Sequence, residues 1–249
     1  MRKILERMLN RFMDTHKKVS YSQCGEDIIL DYLIQSLKIE DPTYMDIGAN
    51  DPIGFNNTYL FYRRGHYGVC IEPDPTIFNR LSKVRKRDIC LNVGIDIDRD
   101  GGDFKDFYIL TSNTLNTFSR ERADQIVKHK YYGDQEILRT IRVPMRSIND
   151  VIHQYFNQVP TVISLDVEGL ELDILKTLDF ERYRPKIFCV ETAEYMEDLS
   201  IKKNYDTIAY LKNNDYIVYA DTLINTIFVD RESWQKKYGG NRIKLDNSI

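Results

Sequence analysis

The sequence predicts an α/β protein built on one mostly parallel β-sheet with helices on both faces. From residue 43 onwards, short runs rich in β-branched residues alternate with segments whose apolar residues recur at helical spacing. Strands that alternate with helices form parallel sheets that are covered on both faces. Only residues 222–224 separate the last two strands, whereas a parallel connection needs about a dozen residues, so these strands form an antiparallel hairpin. A chain of 249 residues can bury a core without disulfide bonds.

The predicted sheet has seven strands, with helical patterns between them. The strands are residues 43–47, 68–72, 89–95, 161–167, 185–191, 216–221 and 225–231. The helical patterns cover residues 75–87, 170–178 and 205–213. In the first of these, Ile77, Leu81 and Val84 lie on one face, which is typical of a helix packed on a sheet.

Residues 96–156 interrupt the alternation and are predicted to form an insertion between the third and fourth strands. The insertion contains predicted strands at 104–110 and 141–145 and predicted helices at 119–132 and 148–156. Ligands bind at the carboxyl ends of the strands in such sheets, so the insertion could act as a lid. Its first helix carries basic residues, which suit either a phosphate-bearing acceptor or an ordinary solvated surface: Arg120, Arg122, Lys128 and Lys130.

The first 20 residues are predicted to form an amphipathic basic helix that precedes a single domain at residues 21–249. The apolar residues of this segment recur at helical spacing: Ile4, Leu5, Met8, Leu9 and Phe12. Such a helix would pack on its own domain or on a second copy of the chain as a homodimer, and attachment to a membrane surface is less favoured. No secretory signal is visible, and no apolar run approaches the ~20 residues of a membrane-spanning helix, so we expect a cytoplasmic protein.

Composition excludes two further classes of function. The net charge is −3, and this near balance argues against a general nucleic-acid-binding protein. The four cysteines include no C-x-x-C pair, so buried thiols are expected rather than a zinc or redox site.

A polar loop after the first predicted strand indicates the type of cofactor. The loop contains Asp46, Gly48, Asn50 and Asp51, and it lacks the second and third glycines of a dinucleotide-binding loop. Its carboxylates would repel a pyrophosphate but attract the ammonium and sulfonium groups of S-adenosylmethionine. Glu72, at the end of the second strand, could accept both ribose hydroxyl protons. Together these residues favour S-adenosylmethionine over a nicotinamide cofactor, although Asp46 and Asn50 could instead form a helix cap or an Asx-turn.

Two residues at the end of the third predicted strand are candidates for contact with the adenine. Asn92 could hydrogen-bond the base and Val93 could pack on its face. Both could equally be ordinary residues of a strand end.

Two carboxylates, Asp166 and Glu168, end the fourth predicted strand. On an extended chain their spacing places both on one face, at the edge of the sheet. They could supply a general base, hold a hard cation or orient the cofactor; alternatively, Glu168 stabilises the next helix N-terminus and Asp166 caps a loop. No third ligand lies nearby in the sequence, so a metal-free site is favoured. Glu191, ending the fifth strand, and His129, in the insertion, are further candidates for the base.

The sequence resembles the FkbM-type S-adenosylmethionine-dependent methyltransferases. The matching segments are residues 22–27, MDIGAND at 45–51 with Asn57 and Thr58, then residues 70–75, 112–119, 143–150 and 164–180. The resemblance extends from about residue 21 to residue 230. It implies a Rossmann-like class I methyltransferase fold and transfer of a methyl group to oxygen, with sugars, polyketides or other metabolite hydroxyls as the usual acceptors.

The resemblance also implies roles for residues in the matching motifs. Residues 22–27 would close over the methionine end of the cofactor, and Asp166 and Glu168 match the acidic motif of the family. One departure is the turn at 51–55, which is bulkier than the expected glycine-rich continuation. The residues expected to bind the cofactor are Gln23, Glu26, Asp46, Gly48, Asn50, Asn57, Glu72, Pro73, Asn92, Val93 and Asp166.

The expected function is therefore an S-adenosylmethionine-dependent O-methyltransferase. Its acceptor is expected to be a hydroxyl of a sugar, either nucleotide-linked or part of a polysaccharide or glycoconjugate precursor. Three alternatives remain at this stage: a non-sugar secondary metabolite as acceptor, a nicotinamide-dependent oxidoreductase, and a cofactor-binding scaffold without activity.

Overall fold

The computed structural model describes residues 17–97, 103–129, 133–195 and 200–238. The predicted N-terminal helix lies outside these ranges up to residue 16, and residues 17–20 are not helical. The strands are β1 (Tyr44–Ile47), β2 (Gly68–Ile71), β3 (Ile89–Leu91), β4 (Gly94–Ile95), β5 (Phe104–Leu110), β6 (Ile137–Arg146), β7 (Val162–Leu165), β8 (Ile187–Glu191), β9 (Ala193–Tyr195), β10 (Ile201–Lys203), β11 (Tyr216–Asp221) and β12 (Asn225–Asp230).

Eight α-helices lie in the described ranges. They are α1 (Glu26–Ser36), α2 (Tyr59–Arg63), α3 (Pro75–Val84), α4 (Arg120–His129), α5 (Ile148–Tyr155), α6 (Glu171–Thr177), α7 (Tyr205–Asn213) and α8 (Arg231–Tyr238). The sequence analysis did not predict α1, α2, α8 or the β9–β10 hairpin. None of these helices combines the length and the apolar character that a membrane crossing requires.

The central sheet has seven strands in the order β11–β12–β8–β7–β1–β2–β3. The pairs from β8 to β3 are parallel, whereas β12 is antiparallel to both of its neighbours. Every residue of β1, β2 and β7 is buried, as expected for short apolar strands covered on both faces. The sheet therefore confirms the Rossmann-like class I methyltransferase fold and the antiparallel C-terminal hairpin.

Two hydrophobic cores cover the two faces of the sheet. Along β1, Met45 and Ile47 belong to one core and Tyr44 to the other, because successive side chains of a strand point to opposite faces. Helices α5, α6 and α7 pack on the first face, and α1, α3 and α8 pack on the second. Since β8, β7, β1, β2 and β3 are parallel, their carboxyl ends all lie at one edge of the sheet.

The predicted third strand, residues 89–95, is divided in two by the structure. β3 pairs with β2, whereas β4 pairs with β6 in a separate three-stranded sheet. The break falls at Asn92, whose side-chain amide donates to the carbonyl oxygens of Glu72 and Pro73 at 2.8 and 2.9 Å. The chain leaves the central sheet here because the side-chain amide of Asn92, rather than a backbone N–H group of a continued β3, donates to the carbonyl oxygens that follow β2.

The insertion consists of the sheet β4–β6–β5 and helix α4. Strand β6 is ten residues long, twice the predicted length, and α4 covers the described part of the predicted helix 119–132. Ile148, Val151 and Ile152 of α5 belong to the hydrophobic core on the first face of the central sheet. The part of the insertion that lies outside this core therefore ends at β6.

Candidate functional site

A cavity of about 700 Å³ opens at the carboxyl edge of the central sheet. The ends of β1, β2, β7 and β8 form one wall, and the insertion forms the other. Of the predicted site residues, nine line the cavity: Gln23, Gly48, Asn50, Glu72, Pro73, Val93, Asp166, Glu168 and Glu191. Five others are placed elsewhere and are described individually below: Glu26, Asp46, Asn57, Asn92 and His129.

The loop after β1 packs closely on the end of β7 because Gly48 has no side chain. Its φ is +81°, and a Cβ at this position would lie 1.8 Å from the Asp166 carbonyl oxygen. The Gly48 and Ala49 N–H groups both donate to the carbonyl oxygen of Ile71, so the loop lies against the end of β2. Asn50 is also left-handed, with φ +42°, a conformation that Asn tolerates better than most residues.

Glu72 is held rigidly at the end of β2 by two backbone donors. Its Oε2 accepts from the Asn50 N–H at 3.0 Å, and its Oε1 accepts from the Asp74 N–H at 2.8 Å. The side chain is 4% exposed, and this burial outweighs the two donors and raises the pKa of Glu72 to about 7. Each carboxylate oxygen retains a lone pair for a ligand in the cavity.

Asp46 lies beneath the loop instead of on the cavity wall. It accepts from the Thr58 hydroxyl at 2.7 Å and from the Asn56 amide at 3.2 Å. Arg85 extends this buried network by donating to the Thr58 hydroxyl at 2.8 Å. Burial raises the pKa of Asp46, while Arg85 opposes the rise. The predicted direct attraction between Asp46 and the cofactor is replaced by a role in fixing the loop.

Residues of the N-terminal motif divide between the cavity and the interior. Gln23 lines the cavity. Glu26 is buried, accepting from the Thr222 hydroxyl at 2.7 Å and the Asn225 amide at 3.1 Å, and this contact attaches the start of α1 to the β11–β12 turn. Asn57 donates to the Ser164 hydroxyl of β7 at 3.2 Å. Glu26 and Asn57 thus have partners within the protein, as Asn92 does.

Three carboxylates meet where β7 and β8 end. One oxygen from each of Asp166, Glu168 and Glu191 lies within 4.8 Å of the others. The expected reason for the pairing of Asp166 with Glu168 was wrong, because β7 ends at Leu165 and Glu168 is left-handed, with φ +58°. The chain turns here, and this turn, not an extended strand, brings Glu168 to the cavity.

The turn that carries Glu168 is held by Glu171, the first residue of α6. Glu171 accepts from the N–H groups of Val167 and Gly169 at 2.9 and 3.1 Å. This contact secures the turn before α6 and leaves the carboxylate of Glu168 in the cavity wall.

The three carboxylates of this cluster all hold their protons more tightly than usual. Burial raises the pKa of Asp166 to about 6, although a hydrogen bond with Glu191 opposes the rise. Burial, with the charge of Asp166 added, raises the pKa of Glu168 and of Glu191 well above the ordinary range. Asp166 is therefore mainly ionised at neutral pH, while Glu168 and Glu191 hold their protons more tightly than ordinary glutamates.

His129 lies at the end of α4, away from the wall of the cavity. The basic residues of this helix likewise do not line the cavity. Arg120 pairs with Asp124 at 2.8 Å, and Lys128 is exposed. Arg122 lies near enough to Glu168 to oppose the rise of its pKa, and Lys130 lies outside the described residues. Within residues 120–129, the part of the predicted helix that the structure describes, no basic side chain lines the cavity.

The insertion contributes a polar wall without ionised groups, which sequence reasoning did not assign to the site. Its wall combines the backbone segment at 112–116, the side chain of Gln135, and two aromatic rings, Phe107 and Phe118, whose centroids are 4.6 Å apart. The Ser112 N–H donates to Gln135 Oε1 at 2.9 Å, which joins this segment to the approach of β6. The signal in the sequence was the polar run SNTLNT at 112–117.

The turn that departs from the family pattern forms the mouth of the cavity. Asp51 Oδ1 accepts from the N–H groups of Ile53 and Gly54, both at 2.9 Å, and its Oδ2 pairs with Arg80 at 2.5 Å. Phe55 is left-handed, with φ +51°, and is 77% exposed. The bulky turn thus places an aromatic side chain at the entrance.

Comparison with known proteins identifies the family. The sequence profile of the methyltransferase FkbM domain matches residues 46–218, more than half of the chain. No curated protein matches the sequence.

Solved structures with a similar fold include three methyltransferases. A TehB-like SAM-dependent methyltransferase from Corynebacterium glutamicum is 8% identical and aligns over 92% of this chain and 97% of its own, with TM-score 0.39. An O-methyltransferase from Bacillus cereus in complex with SAH is 10% identical and aligns over 90% of this chain and 88% of its own, with TM-score 0.40. A precorrin-6y C5,15-methyltransferase from Geobacter metallireducens is 10% identical and aligns over 77% of this chain and 71% of its own, with TM-score 0.38. The profile match over residues 46–218 shows that the chain belongs to the FkbM methyltransferase family, whose members depend on S-adenosylmethionine.

Proposed function

We propose that this protein transfers a methyl group from S-adenosylmethionine to a hydroxyl oxygen of an uncharged sugar. One observation carries the proposal: a single cavity has Glu72 at one end, the cluster of Asp166, Glu168 and Glu191 at the other, and a polar wall without ionised groups between them. The first end suits a ribose, the second suits removal of a hydroxyl proton, and the wall suits a neutral polyol.

The residues around Gly48 and Glu72 fit the cofactor. When bound, S-adenosylmethionine supplies a methyl group activated by a positively charged sulfur. Gly48 lets the loop after β1 approach the end of β7, since a Cβ there would clash with the Asp166 carbonyl oxygen, and Gly48 itself lines the cavity. Glu72 and Val93 line the cavity, where Glu72 would accept hydrogen bonds from the ribose hydroxyls and Val93 would pack against the base.

Asp166 is the base in this proposal. Its pKa of about 6 leaves it ionised at neutral pH yet able to accept a proton from the acceptor hydroxyl. Glu191 shares a hydrogen bond with Asp166, and burial beside Asp166 raises the pKa of Glu191 well above its ordinary range. Glu168, on the neighbouring turn, holds the acceptor oxygen by donating its proton. Much of the remaining rate enhancement comes from holding the oxygen in line with the methyl group.

The charge of the cavity favours a neutral acceptor over a nucleotide-linked one. Five acidic side chains line it, namely Asp51, Glu72, Asp166, Glu168 and Glu191, whereas the basic side chain in the wall is Arg80, already paired with Asp51. Asp166 is ionised at neutral pH, and the described lining offers a diphosphate no unpaired positive side chain that would offset this charge. The polar segment at 112–116 and the ring of Phe118 provide the donors, acceptors and apolar face that a sugar ring requires.

A binding and turnover experiment tests the proposal. Calorimetry should detect S-adenosylmethionine binding, and release of S-adenosylhomocysteine should then be measured with uncharged glycosides and with matched nucleotide-linked sugars. We expect turnover with the glycosides. Absence of cofactor binding would overturn the proposal, and turnover confined to nucleotide-linked sugars or to non-sugar alcohols would overturn the assigned acceptor.

The same three carboxylates allow a second arrangement, in which they bind a divalent cation. The observation that favours it is their proximity, with one oxygen of each within 4.8 Å of the others. A hard cation with carboxylate ligands would then orient the acceptor hydroxyl and lower its pKa. Dependence of turnover on magnesium or manganese separates this arrangement from the metal-free base.

A further inference from the structure

The insertion contacts the cofactor side of the cavity through a pair of side chains, Asp74 and Asn116. The Asn116 amide nitrogen donates to Asp74 Oδ2 at 3.2 Å. Asp74 lies two residues after Glu72 in the chain, and Asn116 ends the polar segment at 112–116. The pair therefore joins two opposite walls of one cavity.

Three hydrogen bonds connect Asp74 to α3, to the insertion and to Glu72. Its Oδ1 accepts from the Thr76 N–H at 2.7 Å and so caps α3, while its Oδ2 accepts from Asn116. Its own N–H donates to Glu72 Oε1 at 2.8 Å. Since Asp74 is 4% exposed, the hydrogen bond to Asn116 is largely shielded from water. The position of the insertion is thereby connected to the orientation of Glu72 by two consecutive hydrogen bonds.

Asn116 is fixed so that only one end of its amide can reach Asp74. Its Oδ1 accepts from the Leu110 N–H at 2.9 Å, which requires the oxygen on that side and turns the nitrogen towards Asp74. Its neighbour Leu115 is buried in the small core of the insertion, so the segment cannot shift without disturbing that core. Arg139 also approaches Asp74, at 3.9 Å, but it is half exposed and contributes little.

We propose that Asp74 and Asn116 are positioning residues that hold the segment at 112–116 over the cofactor and couple the position of the insertion to Glu72. This inference rests on the proposed function, because it assumes that the cofactor lies between the two walls. It predicts that breaking the contact weakens cofactor binding even though neither side chain needs to touch the cofactor.

Reciprocal exchange of the two residues provides a sharp test. In Asp74→Asn, the new amide oxygen still caps α3, since Asn and Asp cap equally well, but its nitrogen faces the Asn116 nitrogen. In Asn116→Asp, two carboxylates face each other. In the double variant, residue 74 donates and residue 116 accepts, so the bond is restored in the opposite direction while the Leu110 N–H keeps its acceptor.

The measurement is the affinity for S-adenosylhomocysteine by calorimetry, with the melting temperature recorded for every variant. We expect each single variant to bind about tenfold more weakly and the double variant to return to within about threefold of wild type. Asp74→Asn should melt close to wild type, because its cap is retained. Asp173→Asn, in an exposed ion pair with Lys176, is the matched control and should bind normally.

The outcomes separate this inference from the proposed function. Unchanged affinity in the single variants, or a double variant as weak as the two losses combined, would overturn the coupling while leaving the cofactor assignment intact. Failure of the wild-type protein to bind S-adenosylhomocysteine would overturn both.

Discussion

The two acidic ends of the cavity are built in different ways. At the end of β2, Glu72 faces backbone donors, the N–H groups of Asn50 and Asp74. At the ends of β7 and β8, Asp166 and Glu191 face each other across a shared hydrogen bond, with Glu168 nearby. Both ends have raised carboxyl pKa values, and burial is the main cause at each. At Glu72 two backbone donors oppose the rise, to which the charges of Asp74 and Asp46 add, whereas at Glu168 and Glu191 the added charges include that of Asp166 within the cluster itself.

This difference separates binding from proton transfer. A carboxylate oriented by rigid backbone donors has a fixed position, which suits recognition of a ligand with two adjacent hydroxyls. Carboxylates oriented by each other's protons can exchange those protons at little cost, which suits a base. The two ends can therefore be disturbed independently.

The largest expected effect is the loss of the base. Asp166→Asn keeps the size of the side chain but cannot accept the hydroxyl proton, so kcat should fall by about 10²–10⁴-fold while cofactor affinity stays close to wild type. Steady-state kinetics and calorimetry measure the two quantities. A kcat within threefold of wild type would remove Asp166 from the proton transfer and leave Glu191 as the candidate.

The next largest effect is expected at the other end. Glu72→Ala removes a charged acceptor of two ribose hydroxyls and should weaken S-adenosylmethionine binding by at least about tenfold. The exposed Glu181 provides a matched Glu→Ala control that should bind like wild type. Calorimetry that finds equal affinity for both variants would contradict the assignment of Glu72 to the ribose.

Dependence on pH should distinguish the two ends in the wild-type enzyme. Asp166 acts in its ionised form, so kcat at saturating cofactor should rise about tenfold from pH 5 to pH 7, with a midpoint near its pKa of about 6. Glu72 also binds best when ionised, so cofactor affinity should increase as pH rises through about 7.

Two variants show which carboxyl group causes the pH dependence of kcat and which causes that of cofactor affinity. Asp166→Asn should flatten the kcat profile and spare the profile of affinity, and Glu72→Ala should do the reverse. Profiles that change together in either variant would show that the two ends are not independent.

The smallest effect is expected on removal of metal ions. If the cluster works by holding protons, extensive dialysis against a chelator should change kcat by less than about twofold, since none of its carboxylates needs a cation. Loss of activity that magnesium or manganese restores would establish the metal-bound arrangement instead.

The sequence by itself determined the alternation of the main strands with helices and which strand ends carry acidic residues. Alternation of strand and helix indicated the parallel sheet, and the short link at 222–224 required the reversed strand β12. Glu72 and Asp166 could be expected at the cavity because residues at the carboxyl ends of parallel strands meet at one edge. These are local or topological properties, and a linear pattern contains them.

Only the tertiary structure decided which of the candidate residues meet. The sequence offered no third carboxylate near Asp166, yet β8 lies beside β7 and brings in Glu191. In the same way, Asp46 turns to Asn56 and Thr58, and Asn92 turns to the carbonyls of the β2 loop. A buried polar group must find partners wherever the packed chain supplies them, and those partners come from strand adjacency and side-chain geometry, which spacing along the sequence does not specify.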